Sequence, residues 1–279
     1  MRFMLLIAAV CGAAAQTIPV PENVQLQTDV VYSRRDGTEL KADLYLPKGD
    51  GPFPAVVYIH GGAWSGGVRT QLRRQAAHMA VKGVAGFAVD YRLSGQAKFP
   101  AALHDVKEAV RWVRANAARY RIDPNRIAAA GSSAGGHLAA MLGVTRDVSG
   151  FEGDGCCREF SSRVTAVVAF NPVLDLAALR DRDMVREFLG DTDPAAASPI
   201  RYAGKGAAPF LILHGTADQI VPYQQAVEMT RKLKEAGVEA QLFTGEGAPH
   251  TFYGSKQWFE PTLRAVEAFL LRHLGKQGS

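Results

Sequence analysis

The chain has 279 residues, of which 47% are hydrophobic and 21% charged, and its formal net charge is +5 at pH 7. This composition is typical of a globular protein, and the length fits one large domain or two small ones. Basic residues never form a run longer than two, which argues against the concentrated basic patch of a nucleic-acid-binding protein.

The N-terminal stretch MRFMLLIAAVCGAAAQ has the pattern of a secretory signal peptide. It combines a positive charge at Arg2, an apolar run from Phe3 to Val10 and small residues before Gln16. The apolar run is shorter than the roughly 20 residues that span a bilayer. We therefore expect residues 1–15 to be removed, and residues 16–279 to form a single exported domain, secreted or periplasmic, with no membrane partner.

From residue 26 onward the predicted elements alternate between strands and helices. The first two strands flank the turn RRDGTE and are predicted to form an antiparallel hairpin. The later strands are apolar on both faces, which favours a mostly parallel α/β sheet covered by helices on both sides. Strands are predicted over LQTDVVYS, LKADLYLP, PAVVYIH, GVAGFAVDY, RIAAAG, VTAVVAFNP, PFLILHG and VEAQLFTG, and helices over residues 69–82, 101–118, 137–143, 223–237 and 262–274.

Two stretches fit no element of this sheet. They are residues 145–163 and residues 175–207, and the second contains a short predicted helix around Met184–Leu189. We expect them to be small inserts, either loops or a cap over a site. The first insert carries Cys156 and Cys157, the two cysteines left after signal cleavage, which lack the further ligands of a metal site.

The stretch Gly131-Ser132-Ser133-Ala134-Gly135 fits the pattern G-x-S-x-G with Ser133 at its centre. It follows a predicted strand and begins a predicted helix, the context in which this pattern marks a nucleophilic serine. The turn is sharp, and glycine on either side avoids collisions with neighbouring backbone. Ser133 is therefore the candidate nucleophile, while Ser132 is expected to face elsewhere.

A second turn, HGGAW over His60–Trp64, follows the buried strand PAVVYI. In serine hydrolases built on such a sheet, this turn supplies one backbone N–H to the oxyanion, and the residue after the nucleophile supplies another. The candidate donors are Gly62 or Ala63 and Ala134. Trp64, next along the turn, is expected to bind the substrate.

A nucleophilic serine needs a histidine base and an acid that fixes the tautomer of the base. The chain order of this fold is serine, acid, histidine, so the base must lie late in the sequence. His250, in the loop GEGAPHTFYG, is the histidine placed to reach back over the sheet. Asp218, beyond the strand PFLILHG, is the predicted acid, and Asp175 is the alternative.

Several of these stretches resemble the α/β-hydrolase superfamily. Within it, the chain is similar to secreted esterases of the acetyl-xylan and feruloyl type, the BD-FAE-like group, which are relatives of hormone-sensitive-lipase-like enzymes. The resemblance covers most of residues 40–275. The matching stretches include VVYIHGGAWSGG, RIAAAGSSAGGHLAAMLG, SSRVTAVVAFNPVLDL, FLILHGTADQIVPYQQAVEM and GAPHTFY. The chain has HGGA and GSSAGG where hormone-sensitive-lipase-like enzymes usually have HGGG and GDSAGG, which favours an acetyl esterase over a lipase.

The resemblance implies an α/β-hydrolase fold and a serine carboxylesterase that acts on short-chain esters. The substrate would be a small-molecule or carbohydrate ester, such as an acetyl or feruloyl group on plant polysaccharide, and no cofactor or metal is expected. Two alternatives stay open: an amide hydrolase of the kynurenine formamidase or peptidase type, and a non-catalytic binding protein. The sequence leaves the oligomeric state undetermined.

Overall fold

A computed structural model describes residues 20–146 and 148–275, so the predicted signal peptide lies outside the described residues. The described chain forms one sheet of eight strands. The strands are β1 Val24–Arg35, β2 Thr38–Pro47, β3 Phe53–Ile59, β4 Ala85–Val89, β5 Ile122–Ser132, β6 Val167–Phe170, β7 Phe210–Gly215 and β8 Ala240–Gly245. Their order in the sheet is β1-β2-β4-β3-β5-β6-β7-β8. β2 pairs antiparallel with both β1 and β4, and all other pairs are parallel.

Helices cover both faces of the sheet, as the α/β prediction requires. Alternate strand residues point into two separate core clusters, so that Val57 and Ile212 belong to one and Val56 and Leu211 to the other. The first cluster is completed by the helices at residues 101–115, 134–144 and 224–235, and the second by the helices at residues 73–81 and 259–274. The helices are α1 Arg73–Val81, α2 Ala101–Ala115, α3 Ala117–Tyr120, α4 Ala134–Val144, α5 Asp183–Leu189, α6 Pro199–Tyr202, α7 Gln224–Glu235 and α8 Phe259–Leu274.

The predicted elements are present, with shifted ends. The helix predicted over 69–82 begins as a 3-10 turn at Arg69–Leu72. The helix predicted over 101–118 is interrupted at Asn116, whose side-chain amide donates to the Trp112 carbonyl at 2.9 Å. Such a local bond competes with continuation of the helix.

The two predicted inserts differ in position. The insert at residues 145–163 packs on α2, where Glu152 receives hydrogen bonds from Lys107 and Arg111, and none of its described residues lines the serine cleft. The insert at residues 175–207 reaches the cleft through α5. The expectation of a cap therefore applies only to the second insert. In the described part of the chain, no helix has the length and apolar character to cross a membrane.

Candidate active site

Ser133 lies at the sharp turn between β5 and α4. Its backbone has φ 53° and ψ −115°, a conformation that non-glycine residues seldom adopt and that proteins retain mainly at functional sites. The Ser133 N–H donates to the Phe170 carbonyl on β6 at 2.9 Å, which fixes the turn against the neighbouring strand. A Cβ at Gly131 would overlap the Gly135 carbonyl, and one at Gly135 would overlap the carbonyls at the end of β3. Both glycines are thus required by close backbone approach.

The side chains of Ser133, His250 and Asp218 form a continuous hydrogen-bonded chain. His250 Nε2 lies 3.0 Å from Ser133 Oγ, and His250 Nδ1 lies 2.6 Å from Asp218 Oδ2. Because a carboxylate only accepts, Nδ1 carries the ring proton and Nε2 presents its lone pair to the serine hydroxyl. This arrangement can remove the proton from Ser133 as it attacks.

Asp218 receives donors on both carboxylate oxygens. The N–H groups of Ile220 and Val221 donate to Oδ1 at 2.8 and 2.9 Å, and His214 Nε2 lies 3.1 Å from Oδ2. Burial by itself would raise the pKa of Asp218, but hydrogen bonds from the two histidines and the Val221 N–H hold that pKa well below its usual range. The acid is therefore a carboxylate at neutral pH and can orient His250.

Asp175, the alternative acid, has other hydrogen-bond partners. Its Oδ1 accepts from the backbone N–H groups of Ala177 and Ala178 at 3.0 and 3.3 Å, so it starts the 3-10 turn Ala177–Leu179. The hydrogen bond on His250 Nδ1 belongs to Asp218.

The predicted oxyanion turn, His60–Trp64, lies beside the serine. Gly62, Ala63 and Ala134 line the same cleft as Ser133 and His250. Gly62 has φ 116° and Ala63 φ 52°, and a Cβ at Gly62 would overlap the Gly66 carbonyl. Left-handed backbone at these two residues bends the chain sharply in the wall of the cleft that contains the serine.

Trp64 borders the cleft, but the residue is only 1% exposed. The indole stacks on Phe188 of α5, with ring centroids 4.4 Å apart, and its Nε1–H donates to His137 Nδ1 at 3.2 Å. His137 Nε2 in turn donates to the Ala197 carbonyl at 2.8 Å. These contacts anchor the oxyanion turn to α4 and to the second insert, and binding of substrate by Trp64 stays a prediction.

The buried His137 predicts a pH dependence of stability. Burial lowers the pKa of His137 to about 4, although the hydrogen bond to the Ala197 carbonyl acts in the opposite direction. Protonation at Nδ1 would also place its new N–H against the Nε1–H of Trp64, so that two donors would face each other. Because the folded pKa lies below the unfolded value of about 6.5, this contribution is complete above pH 6.5 and is lost as pH falls toward 4, by about 3 kcal/mol.

We expect His137→Gln to flatten the dependence of the free energy of unfolding on pH between 4.5 and 6.5, measured by urea denaturation. The ring resonances of His137 in the unchanged protein should still report a neutral imidazole at pH 5.5. Identical slopes for the two proteins would contradict the assignment.

The cleft has a volume of about 320 Å³, within the range of small-molecule sites. Its walls away from the catalytic groups are mainly apolar and include Met184 from α5 and Ile220 and Val221 from the Asp218 loop. Gln71 also lines the cleft, and its Oε1 accepts from the Gly61 N–H at 2.6 Å.

Sequence analysis missed three polar residues around the candidate triad. Gln71 holds the oxyanion turn, His214 contacts Asp218, and Asn171 Nδ2 lies 3.2 Å from His250 Nε2. His214 and Asn171 each follow an apolar strand run, at the carboxyl ends of the strands, where α/β proteins place their sites. That position is the signal by which both could have been found.

Comparisons with known proteins show which proteins the chain resembles. The profile of the BD-FAE family matches residues 42–233. The chain is 33% identical over 211 residues to the probable carboxylic ester hydrolase LipM of Mycobacterium tuberculosis, covering 69% of this chain and 48% of that protein. It is 32% identical over 237 residues to the esterase LipC of the same organism, covering 78% and 58%. The chain spans about half the length of these curated relatives.

Solved structures give a fuller overlap. Butyrate-bound esterase Est2 of Thermogutta terrifontis is 34% identical, with a TM-score of 0.79 over 92% of this chain and 97% of that one. The same esterase phosphorylated by paraoxon superposes with a TM-score of 0.79 over 92% and 96%. The chain is thus similar in sequence and fold to proteins described as esterases.

Proposed function

The chain belongs to the BD-FAE family of α/β hydrolases, and from this premise we propose that it is a serine carboxylesterase that cleaves short-chain carboxylic esters. The observation that carries the proposal is the chain of hydrogen bonds from Ser133 through His250 to Asp218, at 3.0 and 2.6 Å. The similarity of the chain to proteins described as esterases supports the reaction class.

In the proposed reaction, Ser133 Oγ attacks the ester carbonyl while its proton passes to His250 Nε2. Backbone N–H groups of Gly62 or Ala63 and of Ala134 bind the oxyanion, and such a donor contributes about 2.7–4 kcal/mol in the transition state. The C–O bond to the alcohol breaks, and the alcohol leaves with the proton from Nε2. Water then repeats the sequence on the acyl-enzyme and releases the acid, with Asp218 stabilising the imidazolium at each stage.

We further propose that the natural substrate carries a small acyl group, such as acetyl, or a feruloyl group, on a polysaccharide. The cleft of about 320 Å³, bounded by Met184 and Ile220, supports a compact substrate. Export, suggested by the N-terminal sequence, would bring the enzyme to extracellular or periplasmic carbohydrate. A structure of the similar Thermogutta esterase contains butyrate.

We expect kcat/KM to be highest for acetyl to butyryl nitrophenyl esters and to fall steeply beyond butyryl, without activation at a lipid–water interface. One methylene in a pocket changes discrimination by about 1–3 kcal/mol, so an acyl site of butyryl size should produce a sharp limit. The measurement is kcat/KM along a series of acyl chain lengths, with feruloyl esters and acetylated xylan added. An optimum at eight carbons or more would contradict this proposal and favour a lipase-like enzyme.

The alternatives have simple tests. An amide hydrolase would cleave nitroanilides at rates comparable to the matching nitrophenyl esters. A non-catalytic binding protein would not be labelled by an organophosphate, whereas the hydrogen-bonded Ser133 should react covalently.

A further inference from the structure

Asn171 is a polar residue in contact with the reacting atoms, and the reaction described above does not use it. It directly follows β6 and is fully buried, and its amide Nδ2 lies 3.2 Å from His250 Nε2. We propose that Asn171 is a further catalytic residue, whose amide remains on His250 Nε2 when Ser133 is acylated and therefore supports hydrolysis of the acyl-enzyme more than its formation. This inference rests on the proposed function.

The backbone holds Asn171 firmly in place. Its N–H donates to the Leu213 carbonyl on β7 at 2.7 Å, and the preceding Phe170 carbonyl accepts from the Ser133 N–H at 2.9 Å. Asn171 has φ 38°, in the left-handed region that asparagine tolerates better than most residues. The backbone of Asn171 is thus fixed to the strands that carry the nucleophile and lead to the acid.

In the resting site, two donors compete for one lone pair. His250 Nδ1 donates to Asp218, so Nε2 can only accept, and both Ser133 Oγ and Asn171 Nδ2 approach it. The other end of the amide, Asn171 Oδ1, is buried and has no hydrogen-bond partner among the described residues. A buried amide oxygen without a partner is costly, and such groups are often explained by function. Here, a state in which Nε2 becomes a donor would satisfy it.

The two halves of the reaction treat these donors differently. During acylation, the Oγ proton moves to Nε2 as the bond from Oγ to the acyl carbon forms, and the proton leaves with the alcohol. In the acyl-enzyme, Oγ has no proton, so Ser133 cannot donate to His250. Of the two donors that contact Nε2 in the described structure, only Asn171 Nδ2–H still has a proton to give.

Asn171 can also serve the protonated imidazole. When water attacks, it displaces Asn171 Nδ2–H from the Nε2 lone pair, its proton passes to Nε2 as the new C–O bond forms, and that proton returns to Oγ as the acyl–Oγ bond breaks. While Nε2 carries the proton, a half-turn of the amide about Cβ–Cγ replaces Nδ2 by Oδ1, which then accepts from Nε2–H. The same side chain thus holds the ring in both protonation states.

The test separates this role from a purely conformational one. Asn171→Gly removes the amide but adopts a left-handed backbone freely. We expect its acyl-enzyme, formed from nitrophenyl butyrate and followed by intact mass, to decay about tenfold more slowly, while the rate of nitrophenol release in the first turnover changes less than threefold. Asp36→Gly, at φ 49° in the β1–β2 turn, is the matched control and should leave both rates unchanged.

Asn171→Asp provides a second readout in a side chain of the same size. The titratable side chain that forms a described hydrogen bond with His250 is Asp218, in the loop after β7. His214 contacts the same Asp218 carboxylate. A second carboxylate at Nε2 would favour the imidazolium, so the acidic limb of the kcat/KM profile should move to higher pH by about one unit or more.

The outcomes distinguish failure of the proposed esterase function from failure of the proposed role of Asn171. If the unchanged protein forms no acyl-enzyme, the proposed esterase function fails. If it does, but Asn171→Gly slows neither step or slows both equally, only the role of Asn171 is overturned. If the glycine variant does not fold, an unshifted pH profile in Asn171→Asp overturns it.

Discussion

Ser133→Ala is expected to abolish the acyl-enzyme and to lower kcat for a short-chain ester by roughly 10⁴-fold or more, as loss of a triad nucleophile does. Ser133 Oγ is 3.0 Å from His250 Nε2 and is held in a strained turn between β5 and α4. Removing the oxygen eliminates the covalent route, while the oxyanion groups and the cleft remain. The measurement is kcat, with circular dichroism to show that the fold is retained.

Ser132→Ala is the matched control, one residue away. Ser132 is fully buried and its hydroxyl accepts from the Tyr253 hydroxyl at 2.8 Å, whereas the serine hydroxyl beside His250 Nε2 is that of Ser133. Its removal leaves a buried tyrosine hydroxyl without that acceptor, which should lower the free energy of unfolding by about 1–3 kcal/mol but preserve most activity. A phosphonate adduct found by peptide mass spectrometry on Ser132 instead of Ser133 would contradict both assignments.

Asp218→Asn is expected to lower kcat by about 10⁴-fold with the fold intact. Asp218 Oδ2 holds the proton of His250 on Nδ1, at 2.6 Å, which leaves Nε2 free to accept from the serine. An amide can instead donate to Nδ1, which stabilises the wrong tautomer and withdraws the negative charge from the imidazolium. The measurement is kcat together with the far-downfield proton resonance of His250, which should disappear in the variant.

Asp175→Asn tests the alternative acid in the same way. Because Asp175 Oδ1 accepts only local backbone N–H groups among its described contacts, an amide oxygen can replace it, and kcat should change little. If Asp175→Asn were the damaging change and Asp218→Asn the mild one, the acid would belong to the loop after β6.

Local patterns determined much of this protein in advance. The alternation of apolar strands and amphipathic helices indicated the α/β sheet, because burial of one helix face imposes a period on the sequence and burial of both strand faces produces a continuous apolar run. Glycines around Ser133 and in the HGGAW turn marked the two sharp turns, since only glycine fits where backbones approach so closely. The late position of His250 followed from chain order. Strand and helix ends were less well determined, as at Asn116, because single side-chain hydrogen bonds decide them.

Only the tertiary structure decided which side chains meet. The choice of Asp218 over Asp175 as the partner of His250, the inward turn of Trp64 and the approach of Asn171 to Nε2 depend on contacts between residues 32, 73 and 79 positions apart. No local period encodes such distances. They are set by the order of the strands and by how the second insert packs on α4, so the sequence could propose the participants, whereas packing fixed the distances between them.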